Sequence, residues 1–115
     1  KSDVQRANEQ TLDAMLSRYA PAAPMSGAVA LEFIAVFPPP RSASKKAREA
    51  MLRGTEPHTK KPDLDNLVKQ LKDAMTRLQF WCDDRQVVRI VCEKRYGDTG
   101  RWEVCIREAM EGETI

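Results

Sequence analysis

Lys61-Pro62-Asp63-Leu64-Asp65-Asn66-Leu67-Val68-Lys69-Gln70-Leu71-Lys72-Asp73-Ala74-Met75 is the stretch on which the reading of this chain turns. After Pro62, the apolar residues Leu64, Val68, Leu71, Met75 and Leu78 recur at intervals that mark one face of a long helix. Asp65, Lys69, Lys72 and Thr76 fall on the opposite face, and Asp63 stands where a helix N-cap is expected. Downstream, a short linker through Phe80, Trp81 and Cys82 reaches the acidic pair Asp83 and Asp84, directly before Val87 to Tyr96, which reads as a strand.

Working outward, Arg101 to Arg107 alternates with Trp102, Val104 and Ile106 on one side, and Gly97-Asp98-Thr99-Gly100 reads as a turn. The last two strands are therefore expected to form a β-hairpin. Upstream, Ala28 to Phe37 is a largely buried strand that stops at Pro38 to Pro40, which supply no ladder N–H groups. Between them, Ser42 is expected to cap a short helix running to about Leu52, followed by loop around Gly54, Pro57 and His58. Val4 to Tyr19 has helical periodicity, with a start near Ser2 or Asp3 and an end at Pro21. The expected fold is α/β of the α+β type: a small mixed sheet packed with two long helices.

At 115 residues and 13.0 kDa the chain suits one domain, 1–115. A single histidine, His58, excludes two-His catalysis, HExxH zinc sites and Cys2His2 fingers. Cys82, Cys92 and Cys105 are odd in number and lack CxxC spacing, which suggests a reducing compartment. No segment reads as a membrane span or a cleavable leader, so the expectation is a cytoplasmic protein. The formal charge of +2 conceals an asymmetry. Arg41, Lys45, Lys46, Arg48, Arg53, Lys60 and Lys61 against Glu49 and Glu56 give +5 between Arg41 and Lys61, leaving −3 for the remainder. A solvated basic face is the plain reading; phosphate contact is the functional one.

Asp63, Asp65, Asp83 and Asp84, with Lys69, are the candidate chemical cluster. Hard cations such as Mg2+ take oxygen ligands, commonly one or two carboxylates completed by water and phosphate oxygens. Such a cation polarises a scissile phosphate and activates water. Lys69, one turn beyond Asp65, can offset charge developing on a phosphodiester. Spacing leaves the plain alternative open: Asp63 as an N-cap, Asp65 serving the helix dipole and pairing with Lys69, and Asp83-Asp84 as loop. Phe80 and Trp81 read as core in preference to a stacking wedge. His58 reads as exposed in a polar loop, and Cys92 and Cys105 as small apolar packing residues.

KPDLDNLVKQLKDAM followed by DDRQV resembles the signature of the RusA family of Holliday-junction resolvases, and FPPPRSASKKAREAMLRGTEPHTKKPD resembles the approach to it in phage-borne members. The resemblance implies a homodimer that cuts four-way DNA junctions by paired nicks during recombination and repair, with Mg2+ or, as a substitute, Mn2+. It places the acidic metal-binding residues on Asp63, Asp65 and Asp84 and the catalytic lysine on Lys69, with a weaker claim for Asp83. Arg41, Lys45, Lys46, Arg48, Lys60 and Lys61 are the expected DNA contacts. Members usually begin with a strand before the first helix, so the domain is expected to lack that strand. The readings weighed against this one are a non-catalytic DNA-binding or protein-interaction module and a metal nuclease acting on other branched DNA.

Overall fold

The computed structural model describes residues 11–110. The beginning of the first predicted helix, at Ser2 or Asp3, lies outside them. Residues 11–17 form helix α1, followed by β1 (Val29–Phe37), α2 (Lys45–Arg53), α3 (Leu64–Arg77), a 3-10 turn (Asp84–Gln86), β2 (Val87–Tyr96) and β3 (Arg101–Glu108). The three strands make a mixed sheet in the order β2-β1-β3, in which β1 runs parallel to β2 and antiparallel to β3. A small α+β fold, as expected, is what results.

The sheet order corrects one expectation. β2 and β3 follow each other in sequence but are not paired as a hairpin, because β1 lies between them. β1 carries apolar residues on both faces: Val29, Leu31, Phe33 and Ala35 in one phase, Ala30 and Val36 in the other, all buried. Such a strand gains most at the centre of a sheet, with neighbours along both edges. Residues 97–100 must then cross the end of β1, spanning two strand spacings of about 4.8 Å each. Gly97 N–H donates to the Phe37 carbonyl at 3.0 Å. A Cβ built on Gly97 would stand 2.6 Å from Val36 Cγ1, and one on Gly100 would stand 3.1 Å from Pro38 Cδ. The two glycines let the connection lie close over β1, and Pro38 leaves no N–H there to be paired.

One face of the sheet packs against α1 and α3. The core joins Leu12 and Leu16 of α1, Val29, Leu31, Phe33 and Ala35 of β1, Leu67, Leu71, Ala74 and Met75 of α3, and Phe80 with Trp81 beyond it. Trp81 is fully buried, and its indole N–H donates to Thr76 Oγ1 at 2.8 Å, which satisfies its one polar group. Phe80 and Trp81 are thus core residues, as their position after an amphipathic helix suggested. Arg77 grips the Asp13 carboxylate with two nitrogens, at 2.8 and 3.3 Å, and ties α3 to α1. On β3, Trp102, Val104 and Ile106 pack against the core, and Cys105 points the other way and is exposed. The expectation that Cys105 is packed therefore fails, because its register places it on the outer face opposite Glu32.

α2 differs from α3 in having no buried residue. Its cap is Ser44 and not Ser42: the Ser44 hydroxyl accepts from Ala47 N–H at 3.1 Å, whereas the chain at 40–43 is still turning, with Ala43 N–H on the Pro40 carbonyl. Gly54, at φ 83°, closes the helix with its N–H on the last carbonyls. No helix among the described residues is long and apolar enough to cross a membrane.

Candidate active site

The first turn of α3 is held by its own sequence. Asp63 is the N-cap, with extended backbone, and its Oδ1 accepts from Asn66 N–H at 2.9 Å. This engages one face of the carboxylate; an ionised carboxylate has about four acceptor positions, so capacity remains for a cation. Asp65, in the same turn, is exposed. Its charge reaches Cys92 on β2, where burial first and the Asp65 carboxylate second push the thiol above its ordinary value. Lys69 is exposed one turn further on, and among the described residues no ion pair joins it to Asp65. The ordinary surface pair that spacing allowed is not formed.

The second acidic element is built differently. Asp83 caps the 3-10 turn: its Oδ1 accepts from Arg85 N–H at 2.8 Å and its Oδ2 pairs with the Arg85 guanidinium at 3.2 Å. These two partners hold its carboxyl below the usual aspartate range. Gln86 completes a capping box and does more. Its Oε1 accepts from Cys82 and Asp83 N–H, while its Nε2 donates to the carbonyls of Met25 and Gly27 at 2.8 and 2.9 Å. The amide is saturated and latches the turn to the approach to β1. Asp84, the first residue of the turn, is exposed, and the turn packs against α3.

The donor set is chemically suited to a hard divalent cation, since all three carboxylates supply oxygen and Asp63 and Asp65 share one helical turn. Among the described residues, however, no three His, Cys, Asp or Glu side chains stand together in a group that could hold a metal ion. Asp63 and Asp65 stand at the start of α3, beside Lys94 near the end of β2, whereas Asp84 precedes the start of β2, beside Met25 and Gly27; about 20 Å of strand separates the two, and one chain forms no closed cage from them. Mg2+ does not require one, because it retains waters and takes one or two carboxylates beside phosphate oxygens.

His58 departs from expectation. It is 9% exposed, with its ring between Phe37 and Tyr96 at centroid distances of 4.6 and 4.7 Å. Burial, and then the charge of Lys94, lower its pKa from the ordinary value, and Nδ1 has no hydrogen-bond partner. The polar loop around it suggested exposure; its aromatic neighbours come from two strands far away in sequence, which no local pattern reports.

Lys94 was also missed. Its ammonium donates to the carbonyls of Lys60 at 2.6 Å and Pro62 at 2.9 Å, on either side of Lys61 and directly before Asp63. The available signal was its phase, since Lys94 sits in the strand register of Cys92 and Tyr96, where β2 otherwise turns toward the core. The basic residues Arg41, Lys45, Lys46, Arg48, Arg53, Lys60 and Lys61 are all exposed, and no ion pair joins any of them to another described residue.

The family described as Endodeoxyribonuclease RusA matches residues 2–107. The chain belongs to the RusA endodeoxyribonuclease family. The chain is 37% identical over 102 residues to the uncharacterized protein YqaN of Bacillus subtilis (strain 168), an alignment that covers 87% of this chain and 71% of that protein. It is 44% identical over 50 residues to a protein of Lactococcus phage r1t named crossover junction endodeoxyribonuclease rusA, covering 44% of this chain and 38% of the phage protein. As a RusA-family member the chain is an endodeoxyribonuclease.

Proposed function

We propose that this RusA-family chain is a Mg2+-dependent, structure-selective endonuclease that resolves four-way DNA junctions by paired nicks in recombination and repair, with Mn2+ able to substitute. The observation that carries the reading is the family match together with the placement of Asp63, Asp65 and Lys69 on the exposed first two turns of α3. The phage relative's name, crossover junction endodeoxyribonuclease, supports the junction as substrate. Paired nicks need two sites, so the acting form is a homodimer.

Asp63 and Asp65 are the residues that would hold the metal at the start of α3, and Asp84, at the other end of β2, would complete the set only from the second copy in the homodimer, with Asp83 retained by its turn. A bound divalent cation would supply Lewis-acid polarisation of the scissile phosphate and activation of water. Asp63 caps α3 through Asn66 N–H and, being exposed, keeps acceptor positions for a cation. Lys69 carries its ammonium on a flexible stem to the same locality, where it offsets negative charge developing on the phosphate. Arg41, Lys45, Lys46, Arg48, Lys60 and Lys61 neutralise phosphates along the junction arms, giving affinity without base reading.

Asp65→Asn tests this assignment. The substitution removes a charged oxygen donor and leaves the basic surface untouched, so cleavage of a four-way junction should fall by about 100-fold or more, with junction affinity within about twofold of the parent. Undiminished Mg2+-dependent cleavage by the variant, read on denaturing gels, would remove Asp65 from the site.

A further inference from the structure

Lys94 lies on β2, outside the acidic motif and outside the basic segment, yet its ammonium is spent on that motif's backbone. Its two acceptors are the carbonyls of Lys60 and Pro62, at 2.6 and 2.9 Å. The side chain is partly buried, in the register that faces the core, beside Ala35 of β1. An ammonium placed there loses hydration and needs acceptors in return. Both acceptors belong to the segment entering α3, and the Pro62 carbonyl is part of the peptide plane that carries the Asp63 nitrogen. Holding that plane fixes the extended backbone of Asp63, at φ −80° and ψ 164°, and with it the direction of the capping carboxylate.

We propose that Lys94 is a positioning residue for the nuclease site: it clamps the Lys60 and Pro62 carbonyls so that Asp63 and Asp65 are presented in one fixed arrangement. The inference rests on the proposed function for its catalytic consequence and on the hydrogen bonds alone for its structural one. A second-row contact of this kind orients donors without touching the substrate, and displacement of such donors by about 1 Å costs up to about 100-fold in rate. In this arrangement two of the three Lys94 N–H groups are taken by backbone oxygens of its own chain, which makes it a clamp in preference to a phosphate ligand.

The test compares the parent with Lys94→Met, which keeps the stem and removes the donors, and with Lys94→Arg and Lys94→Gln, which retain N–H groups. Amide hydrogen exchange across residues 60–67, measured without metal, reads the clamp itself; junction affinity in EDTA and single-turnover cleavage across a Mg2+ series read its consequence. For Lys94→Met, we expect faster exchange at Asn66 and a Mg2+ concentration for half-maximal cleavage raised about tenfold or more. Junction affinity should stay within about twofold of the parent, and Lys94→Arg should recover most of the loss. Unchanged exchange and an unchanged Mg2+ requirement would overturn the proposal. So would a fall in junction affinity equal to the fall in cleavage, which would make Lys94 a DNA contact, or a loss of cleavage that follows only the unfolded fraction. If the parent shows no Mg2+-dependent junction cleavage, the proposed function fails, and the exchange comparison still decides whether the clamp exists.

Discussion

His58 shows how much one residue's surroundings can alter its role. Packed between the tilted rings of Phe37 and Tyr96 and close to Lys94, its imidazole is better kept neutral than charged. Its folded pKa lies below the ordinary value of about 6.5, so the unfolded chain takes up the proton first as the pH falls. Stability is therefore full above about pH 6.5 and declines on acidification toward the folded pKa. Urea unfolding from pH 7.5 to 5 should show this decline in the parent, and His58→Phe, which keeps an aromatic ring in the slot, should flatten it. An identical slope in both would assign the pH dependence to other groups. Asp63 makes a related point about the chemistry, since capping and metal binding are not competing readings for a carboxylate with acceptor positions to spare.

Among the elements, the connection between β2 and β3 is the most exacting. Gly97→Ala would place a methyl carbon 2.6 Å from Cγ1 of Val36, a buried, β-branched residue with little freedom to move aside. The expected cost is about 1–3 kcal/mol, seen as a lower midpoint in thermal or urea unfolding. A midpoint equal to the parent's would mean that the crossing yields enough to accept a methyl group beside Val36. The strand limits of β1, β2 and β3 were legible from alternation and from the prolines after Phe37, and α3 from its apolar stripe and Asp63. The order of the strands was not, because a four-residue Gly-containing link reads as a hairpin turn wherever it lies. The clue was in β1, whose two apolar faces mark a central strand, but that is a statement about neighbours and not about the link. For the site, residue types and their order on α3 were legible in the motif. Lys94 and His58 escaped because their partners lie across the fold, at Lys60 and Pro62 for the one and at Phe37 and Tyr96 for the other.

For the molecule as a whole, the modest net charge divides into regions with different work. α2 buries nothing and presents its cations to solvent, whereas α3 buries one face in the core and offers carboxylates and Lys69 at its exposed beginning. A basic surface attracts any DNA, so affinity alone does not distinguish a resolvase from a general DNA binder. What distinguishes it is cleavage that depends on both the branch and the cation. The measurement that bears most directly on this is cleavage of a four-way junction, a flap and the corresponding linear duplex by the purified chain, with Mg2+ and with EDTA. Symmetrically paired nicks in the junction, dependent on Mg2+ and far outpacing any cut in the flap or the linear duplex, are the predicted result; binding without cleavage, or equal cleavage of all three substrates, would contradict it.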